Sequence, residues 1–329
     1  MAVLSKQFRD ALAAIEPAED AEHAAEAHEE VRRVLNSRED FKDWGLETLL
    51  IGSYRRQVSI RRVKDADVFC QLPDLPVDVD PQDLLDRFLS ALSEEYGDRV
   101  SRNDRSVKVD FPVYDLHVDV VPARPVGDLW EIPNKGEGWE TTHPLRFNEL
   151  TSGCNATHDK KYVPTVKLLR QTRRALMGTA KPGGFFVEVA AFHAFQNIPT
   201  EGAPDLPSSI AEYYTVALEA MVPLLRAHAD GSAPLLNPAV PGQKLHVRAT
   251  TEELEAVVAA WEHAATSARV ALDEIDDHAA AQAFHELLGL TTEGEAVFPL
   301  LPRSAGTEQA ASVRPGYASL PSGDSPTFG

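Results

Sequence analysis

Two aspartates separated by a single residue, Asp65 and Asp67, open an apolar run that continues to Phe69. The run predicts a β-strand, in which side chains two residues apart point to the same face, about 6–7 Å apart along the strand. Two carboxylates at that spacing can share a metal site. Upstream, the short apolar segment from Leu46 to Gly52 predicts another strand. We therefore expect a sheet that carries acidic side chains on one face.

A third aspartate, Asp119, lies within another strand-like segment, VYDLHVDVVPA. Three carboxylates on neighbouring strands can hold two Mg²⁺ ions about 3.5–4 Å apart, which polarise a triphosphate and activate a hydroxyl for in-line attack. The pattern predicts nucleotidyl transfer, with Asp65, Asp67 and Asp119 as the catalytic carboxylates and metal ligands. An Asp-x-Asp pair taken alone has another interpretation, the solvated face of an edge strand. Asp115 and His117 would share the face of Asp119 in a regular strand. We interpret Asp115 as a solvated residue or an outer partner of the metal ligands, and His117 as a surface residue of the strand.

A turn made of Gly52 and Ser53 follows the first predicted strand. A residue without a side chain lets the backbone approach a phosphate closely, and Ser53 can offer both its hydroxyl and its amide to the terminal phosphates. A Gly-Ser pair alone would be an ordinary loop. Upstream of three aspartates, it predicts a nucleotide-binding phosphate cradle.

The charge of the chain argues against a polyanionic substrate. Its 329 residues carry 32 basic and 51 acidic side chains, a formal net charge of −19, which repels long nucleic acid over most of the surface. Basic residues cluster in two places nevertheless: Arg55, Arg56, Arg61, Arg62 and Lys64, then Lys160, Lys161, Lys167, Arg170, Arg173 and Arg174. A positive cleft on an acidic body suits a nucleoside triphosphate, and Arg56 is the first cluster's predicted contact. The alternative for each cluster is a solvated face.

Cysteine content and hydropathy indicate where the protein works. Cys70 and Cys154 are the only two cysteines and form no CxxC motif, which argues for a reducing compartment and against a zinc site. No run approaches the length of a membrane span, and the opening segment is too polar for a signal peptide. We expect a cytoplasmic protein without a membrane partner.

The order of predicted elements gives an α+β fold with two lobes and a central cleft. Residues 1–145 are predicted to form a core lobe, with helices at the start and then a mixed sheet backed by a helix. Residues 146–300 contain mainly helical periodicity and predict a helical lobe. Residues 301–329, rich in Ser, Gly and Pro, are predicted to form a flexible C-terminal tail.

The Gly-Ser turn, the downstream Asp-x-Asp and the later strand aspartate together resemble the DNA-polymerase-beta-like nucleotidyltransferase superfamily. Within it, the chain is most similar to the bacterial cGAS/DncV-like nucleotidyltransferases, or CD-NTases, of CBASS anti-phage systems. Three further segments resemble parts of that family's second lobe and follow in the same order, namely WETTHPLRFNEL, KKYVPTVKLLRQTRR and LLNPAVPGQKL. The segment after the turn departs from the commonest motif of the superfamily, in which a Thr follows the two basic residues. Ser59 is predicted to supply the hydroxyl of that Thr.

The resemblance implies a polymerase-beta-like core, a helical nucleotide-binding lobe and a Mg²⁺-dependent enzyme. Asp65 and Asp67 would each bind metal, and Asp119 would bind the catalytic metal and favour deprotonation of the attacking ribose hydroxyl. The ions would be two Mg²⁺, with Mn²⁺ as an alternative. The implied activity joins nucleoside triphosphates, such as ATP or GTP, into a cyclic or short linear oligonucleotide second messenger.

The resemblance also suggests contacts from the second lobe. Lys167, with Lys161 behind it, is similar to the family's basic residues on the helix that faces the triphosphate. Tyr162 is a candidate for stacking on a nucleobase, and Asn155 for bonding a base edge. The other candidates for these two contacts are Trp139, Phe147, Thr141 and Thr142. For the aromatic residues the alternative is packing in the core.

Two other functions stay open at this point. One is a nucleotidyltransferase that modifies a protein or RNA, and the other is a nucleotide-binding module whose metal site is vestigial. In some members of the resembled family a terminal small residue is joined to a target by a ubiquitin-transfer-like partner, which makes Gly329 a candidate conjugation site. Incubation with labelled triphosphates and no macromolecule distinguishes the first alternative from messenger synthesis.

Overall fold

The computed structural model describes residues 4–136, 138–204 and 206–302. Its helices are α1 (Ser5–Ile15), α2 (Glu19–Ser37), α3 (Glu39–Lys42), α4 (Gly52–Arg55), α5 (Pro81–Tyr96), α6 (Pro144–Thr157), α7 (Tyr162–Met177), α8 (Gly184–Phe195), α9 (Ile210–Ala229), α10 (Thr251–Asp273) and α11 (Asp277–Leu288). Its strands are β1 (Glu47–Ile51), β2 (Asp65–Gln71), β3 (Val100–Arg102), β4 (Val107–Phe111), β5 (Leu116–Val126), β6 (Leu129–Asn134) and β7 (Gly138–Thr142).

A mixed sheet forms the centre of the first lobe. Its strand order is β1-β2-β5-β4-β3, and β6 extends from β5 and pairs with β7. Strands β2 and β5 are parallel, whereas all other pairs are antiparallel. A parallel pair requires a long crossover connection, which here contains α5 and the β3–β4 hairpin. The crossover brings two distant segments of the sequence side by side.

Two hydrophobic cores hold the lobes. One contains the sheet with α2 and α5, and buries Val31, Val68, Phe88 and Val118. The other contains α1 and α6 to α11, and it buries Trp261 completely. Burying one large apolar side chain stabilises a fold by about 1.5–3 kcal/mol, so each cluster is large enough to support its own lobe.

Helix starts in the second lobe follow from local capping sequences. Ser209 and Glu212 form a capping box at the start of α9, and Thr250 and Glu253 form another at the start of α10. In the first lobe, the Asp80 side chain accepts from two backbone amides at the start of α5, next to Pro81. These signals fix helix positions independently of packing.

The predicted α+β class, with a mixed-sheet core and a helical lobe, is confirmed. The helix α1 differs from the prediction, because Phe8 and Ile15 pack into the helical core rather than the sheet core. Asp115 also differs, since it precedes β5 with a φ of 50° and pairs with Lys64 instead of lying on the strand. The lobe boundary near residue 145 remains a prediction. The predicted tail lies outside the described residues from position 303 onwards.

Within residues 4–136, 138–204 and 206–302, no helix is both long and apolar enough to cross a bilayer.

Candidate active site

Strand register brings the three predicted aspartates together. In the parallel pair of β2 and β5, Asp67 lies opposite Asp119 and Asp65 lies opposite His117. On the other side of β2, Ile51 of β1 lies opposite Asp67, so the Gly-Ser turn that follows Ile51 begins beside the same carboxylate. The site is therefore built from the end of one strand and the starts of two others.

A cleft of about 460 Å³ lies between the sheet and the helical lobe. The first lobe contributes the turn, two aspartates and an arginine: Gly52, Ser53, Asp65, Asp67 and Arg105. The helical lobe contributes aromatic and charged side chains from α6 and α8, with others from α7 and the segment after α9: Phe147, Arg170, Phe185, Glu188 and Asn237. Asp119 does not line the cleft and lies next to Asp67 on the neighbouring strand. Acidic groups on one wall and an arginine on the other suit a metal-bound triphosphate.

Gly52 leaves room for the central carboxylate. A Cβ atom built at this position would lie 1.9 Å from Oδ2 of Asp67, far inside van der Waals contact. The φ of Gly52 is also +77°, a region that residues with a side chain rarely adopt. The sequence predicted close approach of this backbone to phosphate. The structure adds that the glycine also accommodates Asp67.

The electrostatic state of Asp67 reflects its neighbours. Burial raises the pKa of Asp67 to about 7, and the nearby Asp65 and Asp119 carboxylates add to the increase. Arg56 and His117 oppose it only in part. Without a cation, Asp67 therefore holds a proton up to about neutral pH. A bound cation would release that proton, because it removes the repulsion among the carboxylates.

Asp119 is held by three hydrogen-bonding groups. Its Oδ1 accepts from the Ser106 hydroxyl at 2.9 Å and from the Asn103 amide at 3.2 Å, and its Oδ2 lies 3.3 Å from Nε2 of His117. Burial acts to raise the pKa of Asp119, but the hydrogen bonds from these three residues outweigh it and the pKa falls below its usual value. Asp119 is thus ionised when Asp67 is not. The contact also raises the pKa of His117, which is not the isolated surface residue that the sequence suggested.

The three aspartates fit a divalent cation by their chemistry. Among the described residues, no group of three His, Cys, Asp or Glu side chains is arranged as a ready-made metal site. The strand register nevertheless places hard oxygen donors at adjacent positions, and their mutual repulsion contributes to the raised pKa of Asp67. Asp65, Asp67 and Asp119 are therefore the residues that would hold Mg²⁺. Metal binding itself remains a prediction.

The two serines of the turn region contact each other. The Ser53 and Ser59 hydroxyl oxygens are 3.0 Å apart, and Ser59 is buried. Ser53 lines the cleft, while Ser59 lies behind it. Ser59, predicted to replace the usual threonine hydroxyl, therefore contacts Ser53 and does not line the cleft itself.

Arg56 does not present a free guanidinium to a phosphate. Its Nε and Nη2 donate to the two Glu188 carboxylate oxygens at 2.6 and 2.9 Å, and both side chains are almost completely buried, 5% and 0% exposed. Its remaining Nη1 donates to Asn148 at 3.4 Å, and the group lies 4.8 Å from the centre of the Phe147 ring. Arg56 thus joins α4 of the first lobe to α8 of the second. Arg56 also lines the cleft, so its predicted role as a nucleotide contact stays a prediction beside this contact between lobes.

Replacing Arg56 by lysine is expected to lower the free energy of unfolding by about 1–3 kcal/mol, because an ammonium group cannot donate two parallel hydrogen bonds to Glu188. Chemical denaturation would measure the change. Arg269→Lys is the matched control, since Arg269 makes the same two-point contact with Glu219 at 2.7 Å but is 38% exposed. Its loss should be within about 1 kcal/mol. Equal losses in the two variants would contradict the assigned role of Arg56.

Arg170 is the cleft cation whose position was not predicted. Its guanidinium lies against Gly184, where an added Cβ atom would approach Cζ to 2.8 Å. Its Nε is buried and has no hydrogen-bond partner. Burial lowers the pKa of Arg170, whereas Glu188 and Asp65 act to raise it. In the sequence Arg170 is one member of a basic cluster, and only the structure shows that Gly184, at the start of α8, leaves space for it.

Lys167 and Lys161 lie outside the cleft. Both Glu16 carboxylate oxygens accept from Lys167 Nζ, at 2.5 and 2.7 Å, and the lysine is buried behind α4. Lys161 precedes α7 and contacts Asp159. The interpretation of both lysines as triphosphate contacts is therefore corrected. Their helix does reach the cleft, one turn further along, at Arg170.

The two residues predicted to contact the nucleobase, Tyr162 and Asn155, do not line the cleft. Tyr162 is fully buried against Phe195, so it is a core residue and cannot stack on a nucleobase. The Asn155 side chain accepts from the Val163 amide near the start of α7, and Asn155 does not line the cleft. Of the alternatives, Phe147 and Thr142 line the cleft, whereas Trp139 stacks under Arg124. Gly329 lies outside the described residues.

Comparison with known proteins agrees with this geometry. Residues 1–155 match the family model of the Second Messenger Oligonucleotide or Dinucleotide Synthetase domain. A cyclic AMP-AMP-AMP synthase from an Acinetobacter species is 29% identical over 323 residues, which cover 94% of this chain and 88% of the relative. The similarity therefore extends over both lobes.

Solved structures share the fold at lower identity. Escherichia coli CdnC with ATP has a TM-score of 0.67 and 17% identity, covering 90% of this chain and 98% of that one. CdnG from Bradyrhizobium diazoefficiens, a CD-NTase solved with GTP, has a TM-score of 0.65 and 15% identity. The match covers 85% of this chain and 98% of CdnG. The chain is thus similar to second-messenger synthetase domains over residues 1–155 and to a cyclic AMP-AMP-AMP synthase over most of its length. Its fold is similar to that of CD-NTases.

Proposed function

We propose that the chain is a Mg²⁺-dependent synthase that joins nucleoside triphosphates into a cyclic or short linear oligonucleotide messenger for anti-phage signalling. The observation that carries the proposal is the pairing of Asp67 with Asp119 across β2 and β5, beside the Gly52 turn, with Asp67 lining a cleft between two lobes. The net charge of −19 disfavours long nucleic acid as a substrate.

The proposed reaction forms one phosphodiester bond and breaks one phosphoanhydride bond at each step. A ribose hydroxyl oxygen attacks the α-phosphorus of a triphosphate, its proton leaves, and pyrophosphate departs. When bound, Mg²⁺ supplies charge neutralisation at the attacking and leaving oxygens. Asp119 is the carboxylate suited to favour loss of the hydroxyl proton, because it stays ionised. The Gly52-Ser53 turn can present its backbone and the serine hydroxyl to the terminal phosphates.

Arg170 is the proposed triphosphate contact on the helical lobe. Its unpartnered Nε lies in the cleft wall opposite Asp65 and Asp67. A buried donor that lacks a protein partner is costly, and a phosphate oxygen would satisfy it with a charge-assisted hydrogen bond. Arg105 supplies a second cation on the other wall, and its Nε is likewise buried without a hydrogen-bond partner. Its Nη2, however, pairs with Glu140 at 2.5 Å, so we propose Arg170 as the main contact.

Replacing Arg170 by glutamine is expected to raise the KM for nucleoside triphosphate by about 10–100-fold, because a charged hydrogen bond to phosphate is lost. Steady-state pyrophosphate release would measure the change. Lys167→Gln is the matched control on the same helix, with a KM expected to stay within about threefold because Lys167 faces Glu16. The assignment of Arg170 fails if the Lys167 variant shows the larger increase.

The nucleobase would lie at the helical end of the cleft. Phe185 is 47% exposed there and offers an aromatic face. Asn237 lines the same region, but its amide already donates to Gln243 at 2.6 Å, which fixes its orientation. Stacking on Phe185 would be tolerant of base identity, whereas a fixed polar group can discriminate between bases. The base-contact role moves in this proposal from Tyr162 and Asn155 to these residues.

Adenine is the first base to test. The Acinetobacter relative is a cyclic AMP-AMP-AMP synthase, and CdnC was solved with ATP. We infer that ATP is a substrate of this chain and that a cyclic trinucleotide is a candidate product. GTP stays a second candidate because CdnG was solved with it.

A single incubation tests the proposed function. Purified protein with Mg²⁺ and labelled ATP, GTP, CTP and UTP, and no other macromolecule, should yield a small product resistant to phosphatase. Chromatography and mass analysis would give its bases and ring size. Labelling only of an added protein or RNA would support the alternative of macromolecule modification. Absence of pyrophosphate release under all conditions would support the vestigial nucleotide-binding module.

Partners and location remain predictions. The proposed nucleotide partners follow from the site, and a cytoplasmic location would give access to cellular triphosphates. The ubiquitin-transfer-like partner predicted for Gly329 has no support from the described residues. Co-expression with such an enzyme, followed by mass analysis for a Gly329 conjugate, would test it.

A further inference from the structure

The turn between β3 and β4, residues 103–106, contacts the carboxylate of Asp119. Ser106 and Asn103 both donate to Oδ1 of Asp119, at 2.9 and 3.2 Å. Asn103 Nδ2 also lies 3.3 Å from the Ser106 oxygen, so the two donors form one connected group. A carboxylate oxygen has two lone pairs, and these two contacts occupy both.

Strand register explains why this turn reaches Asp119. Lys108 of β4 lies opposite Asp119, so Ser106, two residues earlier, is on the same face and diagonally across from it. The hairpin closes with a hydrogen bond of 2.8 Å from the Asn103 amide to the Ser106 carbonyl. Ser106 is 7% exposed, so its hydroxyl depends on protein partners. Sheet geometry thus holds the donors in place.

Other contacts hold the turn itself. Arg105 pairs with Glu140 of β7 at 2.5 Å, and Asp104 accepts from Arg248, beyond α9, at 2.9 Å. The Asp104 pair is exposed to solvent and contributes little stability, so it is not required for the donors to be placed. The turn is therefore anchored mainly through its hairpin and Arg105.

We propose that Ser106 and Asn103 are positioning residues for the reaction: they fix Oδ1 of Asp119, while His117 lies 3.3 Å from Oδ2, so that the carboxylate keeps its orientation beside Asp67. The inference rests on the proposed function for its role in turnover, but the positioning of Asp119 can be measured without turnover. Neither residue touches substrate in this assignment. They act through the orientation of the carboxylate, as the outer partners of metal ligands do.

The test compares Ser106→Ala and Asn103→Ala with Ser106→Thr, which retains the hydroxyl, and with Asp104→Asn, a control in the same turn that does not contact Asp119. Binding of Mn²⁺ alone, followed by electron paramagnetic resonance, is the readout independent of activity. Ser106→Ala should weaken Mn²⁺ binding and lower kcat by about 10–100-fold, with the KM for ATP within about threefold. Asn103→Ala should show smaller losses of the same kind, and the Thr and Asn variants should remain near the wild type.

The possible results distinguish the positioning role of Ser106 and Asn103 from the proposed synthase activity. Wild-type values for both Mn²⁺ binding and kcat in Ser106→Ala and Asn103→Ala would overturn the proposal. A wild type that forms no product yet binds Mn²⁺ more tightly than the alanine variants would reject the proposed function and keep the positioning role. If Ser106→Ala fails to fold, Asn103→Ala decides, because Asn103 is exposed. A loss in Asp104→Asn equal to that in Ser106→Ala would assign the effect to the turn's ion pair and overturn the proposal.

Discussion

Replacing Asp67 by asparagine is expected to reduce product formation by at least about 1,000-fold while leaving the protein folded, because the amide removes the charge that two metal ions would share. Asp67 lies opposite Asp119 in the sheet and directly against the Gly52 turn. Pyrophosphate release with Mg²⁺ measures the loss. Asp115→Asn is the control, since Asp115 is 66% exposed and pairs with Lys64. Substantial turnover by the Asp67 variant would contradict the site.

The same variant should change how stability depends on pH. The pKa of Asp67 rises from an ordinary value of 3.8 to about 7 in the folded, metal-free protein, so the folded state holds a proton that the unfolded chain releases. Stability of the metal-free wild type should therefore fall as pH rises from about 4 to 7, by roughly 2–4 kcal/mol. The asparagine variant should lack this decline. Thermal unfolding between these pH values, with and without Mg²⁺, would show whether the cation restores stability to the wild type alone.

The sequence predicted the sheet side of the site better than the helical side. Asp65, Asp67 and Asp119 lie in short apolar runs, where the two-residue period of a strand fixes which side chains share a face. The opposition of Asp67 and Asp119 depends on the register between two strands separated by a long crossover, and that register is a property of the assembled sheet. Ser106 could not be found for the same reason.

The helical lobe shows why a basic cluster does not identify a ligand. Lys167 and Arg170 are three residues apart on α7, so they lie on neighbouring parts of one helix surface. Which of them faces the cleft depends on Glu16, at the end of α1, which binds the lysine. Arg56 is committed in the same way to Glu188, 132 positions away. Long-range ion pairs of this kind leave no local signal in the sequence.

Gly52→Ala is the most direct test of how the turn and the carboxylate fit together. An alanine Cβ would lie 1.9 Å from Asp67 Oδ2 and would require a φ near +77°, so either the carboxylate must rotate or the turn must move. Both changes displace a predicted metal ligand. We expect activity to fall at least about 100-fold and the free energy of unfolding to drop by about 2–4 kcal/mol.

Two comparisons separate the clash from backbone strain. Gly231 has a φ of +75° and no atom within 4 Å of an added Cβ, so Gly231→Ala should cost only about 1 kcal/mol and leave activity unchanged. In an Asp67→Ala background, which removes the clashing oxygen, Gly52→Ala should likewise cost only about 1 kcal/mol, giving a coupling energy of about 1–3 kcal/mol between the two positions. Strictly additive effects of the two substitutions would show that Gly52 is required for its backbone conformation alone and not for the space it leaves to Asp67.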